Sequence, residues 1–189
     1  FHMPYPGQEK NPEIFDLASH SDGPLMTALA EEATNQELAI AAPFFERRMS
    51  GVYANSLQLL TPGGEPSLIY RKTHIPDDPG FGEKYYFAPG EDEYFTWELQ
   101  GVQVSPLICW DQWFPEAARV CALQGADAIL YPTAIGWLDE ESIAERNAML
   151  DAWVTVQRSH AITNGLYVAV ANRIGRETLP NQPHKGIEF

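Results

Sequence analysis

The segment Leu107-Ile108-Cys109-Trp110-Asp111-Gln112-Trp113-Phe114-Pro115-Glu116 constrains the fold more than any other stretch of this chain. The apolar run Val102, Val104, Leu107 and Ile108 ends on a cysteine, a polar turn follows, and Pro115 opens a helix. Proline suits a first helical turn because its missing N–H has no partner to lose there. The chain therefore passes from a buried strand into a helix with Cys109 at the corner. A cysteine so placed has two readings. It packs as a strand-end core thiol, or it stands at the edge of a sheet with the next backbone N–H available to an oxyanion.

The rest of the chain fits an α/β architecture. Pro24 to about Gln36 carries Leu25, Met26, Leu29 and Ala33 at helical spacing. Leu38–Phe45 and Val52–Leu60 read as strands, and Thr61-Pro62-Gly63-Gly64-Glu65-Pro66 as a turn before a returning strand at Leu68–Arg71. Thr73 to Gly90 is a long loop, of a length that is uncommon unless functional. Tyr94–Leu99 and Val102–Ile108 form a hairpin about Gln100-Gly101. A helix at Pro115–Gln124, a strand at Ala128–Tyr131, a helix from Ile143 to about Thr163 and a strand at Leu166–Ala171 then alternate, which predicts a layered sheet. Lys185–Phe189 reads as the approach to a further strand. No repeat or linker divides residues 1–189, so they read as one domain.

Composition excludes several classes of partner. The chain is 44% apolar and 20% charged, as in a globular protein, and no apolar run is long enough to span a bilayer. A net charge of −14 disfavours nucleic acid and anionic membranes and suits a cationic small molecule. The two cysteines, Cys109 and Cys121, fit a reducing compartment such as the cytoplasm rather than a disulfide scaffold. Cys121 falls on the apolar face of the Pro115 helix and reads as core. His2, His20, His74, His160 and His184 are scattered, so no structural zinc site is expected.

Three further motifs place the cysteine corner in context. Arg71-Lys72-Thr73-His74-Ile75-Pro76 and Gly82-Glu83-Lys84-Tyr85-Tyr86-Phe87 lie upstream; Tyr131-Pro132-Thr133-Ala134-Ile135-Gly136 lies downstream. Together and in this order they resemble the nitrilase superfamily of carbon–nitrogen hydrolases. The resemblance implies a four-layer α-β-β-α sandwich, incomplete at both ends, in which residues 1–189 cover the middle of the family domain. It also implies a homo-oligomer and chemistry that needs no metal or organic cofactor.

Residue by residue, the resemblance makes Cys109 the nucleophile and Lys72 the cation that stabilises the oxyanion. Glu83 becomes the carboxylate that orients the lysine and holds it charged. The Trp110 N–H is the expected second oxyanion donor. The family's general-base glutamate maps upstream of Phe1, because Phe1-His2-Met3-Pro4-Tyr5 resembles the residues that follow it. That role is not transferred to Glu46, which reads as structural or as a rim residue. Were the polypeptide these residues alone, turnover would be severely impaired, and a catalytically silent binding or oligomerisation module becomes the competing reading. Asp111 is expected to satisfy backbone donors at the corner, and Glu116 to favour the helix N-terminus. Thr133, Ala134, Trp113 and Tyr5 are expected to line the substrate pocket.

The expected reaction is attack of Cys109 on a carbamoyl or acyl carbon, loss of ammonia, and hydrolysis of the covalent intermediate. Relatives that bind a carboxylate tail place basic residues just after the cysteine. Here Gln112 and Trp113 stand there, neither cationic, which argues for an alkylammonium tail. Carboxylates and aromatic faces that could receive it are Asp77, Asp78, Tyr85, Tyr86, Trp110, Trp113 and Trp137. N-carbamoylputrescine, yielding putrescine, is the expected carbamoylamine substrate. A β-ureidopropionase or other aliphatic amidase is the alternative within the class. An α/β-hydrolase lacks support, since no G-x-S-x-G or G-x-C-x-G elbow occurs.

Overall fold

The first half of the chain is mostly strand and the second half interleaves strands with two helices, and the elements stack in layers. The computed structural model describes residues 3–91, 93–179 and 182–189, and at positions 179, 182 and 183 the backbone alone. Phe1 and His2, the start of the segment read as following the general-base glutamate, lie outside the described residues.

In chain order the elements are helix α1 (Pro24–Asn35), strands β1 (Ile40–Met49), β2 (Val52–Leu60), β3 (Tyr70–Arg71), β4 (Asp77–Asp78), β5 (Phe81–Gly82), β6 (Trp97–Leu99) and β7 (Val102–Pro106). Helix α2 (Pro115–Leu123), β8 (Ala128–Thr133), β9 (Trp137–Leu138), helix α3 (Ile143–Asn164), β10 (Tyr167–Asn172), β11 (Arg176–Leu179) and β12 (Gln182–Glu188) follow.

One sheet is antiparallel in the order β1-β2-β3; the other runs β10-β8-β7-β6. In the second sheet β7, β8 and β10 are parallel, and α2 and α3 make the two crossovers. Met26 and Ala33 of α1 pack on Ala42, Phe44 and Leu60 on the outer face of the first sheet. Leu57, Leu59 and Tyr70 on its inner side join Val104, Leu107, Ile129 and Tyr131 of the second. Ala117, Ala118 and Cys121 of α2 close that cluster. The layers are thus α, β, β, α.

Several boundaries differ from the sequence reading. Strand β1 runs on to Met49, because Glu46 and Arg47 continue the pairing with Ala54 and Tyr53. Polarity suggested an earlier end, but Glu46 is buried in an ion pair with Arg71 at 2.7 Å and accepts the Ser56 hydroxyl at 2.6 Å. Glu46 is therefore a structural residue of the first sheet. Strand β7 ends at Pro106, leaving Leu107 and Ile108 as an extended lead into the corner. Pairing of β3 is confined to Tyr70 and Arg71. The long loop 73–90 contains the β4–β5 hairpin and a 3-10 turn at Glu83–Tyr85. The C-terminal approach read at Lys185–Phe189 is the end of β12, which pairs with β11 and β9.

Candidate active site

Cys109, Ala134 and Asn172 sit just beyond or at the C-terminal ends of the parallel strands β7, β8 and β10, where α/β sheets open a crevice. Cys109 begins a 3-10 turn through Trp113 and has φ +45°, a left-handed conformation that costs a non-glycine residue about 1–3 kcal/mol. Such strain persists only where the surroundings over-determine it.

Asp111 supplies the constraint. Its fully buried carboxylate accepts the Ile108 N–H at 3.0 Å, the Tyr70 hydroxyl at 2.7 Å and the His74 N–H at 3.0 Å. The Nδ1–H of His74 donates to it as well, at 2.8 Å, and the His74 ring stacks on Phe114 at 3.6 Å. On the other side of the turn, Gln112 accepts from His160 Nε2 at its backbone oxygen and from Gln157 Nε2 at its side chain, both at 2.7 Å. The corner is pinned from both the lysine loop and α3.

Lys72 follows β3 directly, with its N–H on the Asn55 carbonyl at 2.8 Å. Its ammonium meets Glu83 Oε2 at 2.7 Å, and neither side chain reaches solvent. Glu83 also accepts the Tyr5 hydroxyl at 2.8 Å and Asn55 Nδ2 at 3.2 Å. Burial pulls the Lys72 ammonium down, but the carboxylate of Glu83 and the charge of Cys109 outweigh it, so its pKa stands above the ordinary lysine value. Burial pushes the Cys109 thiol above its ordinary value, while Lys72 draws it back. Burial and then Glu83 raise Tyr5 well above a free phenol. The Lys72 ammonium thus opposes the effect of burial on the thiol.

A cavity of about 480 Å³ opens over Cys109. Tyr5, Cys109, Trp110 and Ala134 line it, and the Ala134 carbonyl lies 3.8 Å from Cys109 Sγ. Trp113 and Thr133 are not among the lining residues. Trp113 lies behind Trp110, ring centroids 6.2 Å apart. Thr133 is buried with its hydroxyl on the Tyr131 carbonyl at 3.0 Å. Of the groups named for an ammonium tail, Asp78, Trp110 and Trp137 line the cavity; Asp77, Tyr85 and Tyr86 do not. Tyr86 instead braces the N-terminal segment, its hydroxyl donating to the Glu9 carbonyl at 2.6 Å.

Sequence reasoning missed Asn55 and Asn172. Asn172 exchanges bonds with Ile135, accepting its N–H at 3.0 Å and donating to its carbonyl at 2.9 Å, and so shapes the cavity wall. The available signal was an amide at an otherwise apolar strand position, since a polar residue buried in a sheet needs a partner. Among the described residues no cluster of His, Cys, Asp and Glu is gathered to hold a metal ion, and no helix is long and apolar enough to cross a membrane.

Comparison with known proteins shows what the chain is similar to. A family model described as carbon-nitrogen hydrolase matches residues 1–187. The chain is 41% identical to a citrullinase of Francisella tularensis, over 90% of this chain and 58% of that protein. It is 37% identical to an N-carbamoylputrescine amidase of Solanum lycopersicum, over 93% of this chain and 57% of that protein. A crystal structure of a carbon-nitrogen hydrolase from Helicobacter pylori G27 superposes with a TM-score of 0.94 at 40% identity, covering 99% of this chain and 64% of that one. The chain thus spans somewhat over half the length of the curated relatives it matches.

Proposed function

Since the chain belongs to the carbon–nitrogen hydrolase family, we propose that the protein hydrolyses the terminal ureido group of a carbamoylated alkylamine, with N-carbamoylputrescine as its first substrate. The observation that carries the reading is the buried Lys72–Glu83 pair, joined through the Tyr5 hydroxyl to a cavity that Tyr5 lines together with a strained Cys109.

Cys109 Sγ attacks the carbamoyl carbon, and its proton passes to a base. The resemblance assigns that base to a glutamate preceding residue 1. Negative charge develops on the carbonyl oxygen, where Lys72 and the Trp110 N–H stabilise it. The first N–H groups of a helical turn have no partner within the turn, so the Trp110 donor suits this role. Collapse of the adduct expels ammonia and leaves a thiocarbamate on Cys109. Water then displaces the thiol, and the released carbamic acid loses carbon dioxide to give the amine. Glu83 keeps Lys72 protonated throughout; Tyr5 and Asn55 hold Glu83 in place.

The relatives named for citrulline and for N-carbamoylputrescine share a ureido group on a short alkyl chain ending in an ammonium. Citrulline adds a carboxylate, and the 41% identity to a citrullinase makes it the second substrate to consider. The test is release of putrescine from N-carbamoylputrescine, and of ornithine from citrulline, by the full-length protein beside Cys109→Ser. Release that is lost in the variant supports the chemistry. No release of either amine by a folded full-length protein overturns the reading.

A further inference from the structure

We infer that Asp78 is the group that reads the ammonium end of the substrate; this rests on the ureido-hydrolase reading above. Three charged side chains line the cavity: Asp78, Glu141 and Arg173. Two of them are already engaged. Arg173 pairs with Glu177, donates to the Met3 carbonyl at 3.0 Å and lies over the Phe189 ring at 5.5 Å. Its charge is cancelled and its fork is occupied, so it is poorly placed to greet a substrate carboxylate. Glu141 accepts the Leu138 N–H at 2.7 Å, which fixes the turn leading to α3.

Asp78 differs. Among the described residues no hydrogen bond or ion pair engages its side chain, and the residue is exposed and lines the same cavity. Its position is nonetheless fixed. It pairs with Phe81 in the β4–β5 hairpin, whose turn holds Pro79 and Gly80. Gly80 has φ +78° and lies so close to β9 that a Cβ there would meet Leu138 Cδ2 at 2.7 Å. Pro76, two residues before Asp78, accepts the Glu83 N–H at 3.1 Å. One loop therefore holds both the tail-facing carboxylate and the carboxylate that pairs with Lys72.

Trp110, Trp137 and Phe81 in the same wall add aromatic faces that suit a cation. With Arg173 cancelled by Glu177, the charge left in the lining is negative. A terminal ammonium gains there, a terminal carboxylate meets like charge, and a neutral tail is indifferent.

The experiment compares kcat/KM of the full-length protein for three ureides of similar length: N-carbamoylputrescine, 4-ureidobutyrate and n-butylurea. Asp78 is exposed, so a modest effect is expected. In Asp78→Asn the preference for N-carbamoylputrescine over n-butylurea should fall about fivefold, carried by KM, and the fall should shrink at high salt. Asp78→Lys should move the preference toward 4-ureidobutyrate. A preference unmoved in both variants, with n-butylurea still turned over, overturns the assignment of Asp78 alone. Turnover of citrulline but of none of the three overturns the assignment of Asp78 alone; failure on all three and on citrulline overturns the ureido-hydrolase reading and the assignment with it.

Discussion

Asp111 Oδ1 accepts both the backbone N–H and the ring Nδ1–H of His74, at 3.0 and 2.8 Å. His74 stands two residues after Lys72, and Asp111 two residues after Cys109. This contact therefore fixes the loop bearing the cation against the corner bearing the thiol. Asp111 touches no reacting atom in the proposed mechanism; it acts as a positioning residue.

Asp111→Asn should show that role. The amide keeps one acceptor oxygen but turns an NH2 toward groups that are themselves donors. Four donors now share that carboxylate, so the variant should lose about 2–4 kcal/mol of stability. Its kcat should fall more than its KM rises, because the cavity wall is kept while the nucleophile is misplaced. Urea unfolding and steady-state kinetics check the two effects separately. A stable variant with unchanged kcat would contradict the positioning role.

Glu83→Gln strands an ammonium in a site closed to water. Breaking a buried pair in this way costs about 3–5 kcal/mol. The pH dependence carries a sign that simple loss of packing would not. In the unsubstituted protein the folded pKa of Lys72 lies above the unfolded value of 10.5. Its contribution is therefore complete below that value and is lost as pH rises through the folded pKa. Without Glu83, burial dominates and the folded pKa falls below the unfolded one. The unfolded state then binds the extra proton, and this contribution grows as pH rises between the two values. Chemical denaturation of both proteins at neutral and alkaline pH should show the destabilisation shrinking with pH; a constant difference would count against it.

The parallel half of the fold was readable because its signals are periodic. Pro115 and the apolar spacing through Cys121 mark α2, and the alternating strands on either side bracket it. The two-residue strands β4, β5 and β9 are too short to show a period, so sequence alone does not mark them. Parity explains why Thr133 stays out of the cavity lining. Ile129, Tyr131 and Thr133 share the buried face of β8, so Thr133 turns inward, and Ala134, one residue on, meets the cavity. Asp77 and Asp78 look alike in sequence. Only the hairpin register, with Asp77 opposite Gly82 and Asp78 opposite Phe81, separates the one that lines the cavity.

Gly136 tests how tightly the cavity wall is set. A Cβ built there would lie 2.3 Å from the Glu188 carbonyl oxygen, a backbone atom that cannot turn aside. Gly136→Ala must therefore push β12 from β9, whose pairing joins Glu188 to Trp137. A loss of about 1–3 kcal/mol is expected, together with a raised KM, since Trp137 and Leu138 line the cavity. Thermal unfolding and KM measured on the same preparation check this; an unshifted midpoint would show that the strands separate without cost.

The ionisation of Cys109 gives the most direct view of the site at rest. Burial raises the thiol above its ordinary value of 9.0, with Lys72 opposing. The resting cysteine is then mostly protonated near neutral pH, and alkylation by iodoacetamide should rise about tenfold per pH unit up to and beyond pH 9. Removing the opposing cation in Lys72→Met should raise the thiol further and slow labelling at pH 8 by about tenfold or more, in protein shown by circular dichroism to remain folded. Cys121 serves as the internal control. It is buried in the core against α2's neighbours and its pKa is pushed up to about 11, so it should stay unlabelled until the protein unfolds. Peptide mass spectrometry resolves the two sites. Labelling of Cys109 that is fast and flat across neutral pH would mean a thiolate at rest, and the proton would then have left before substrate arrives.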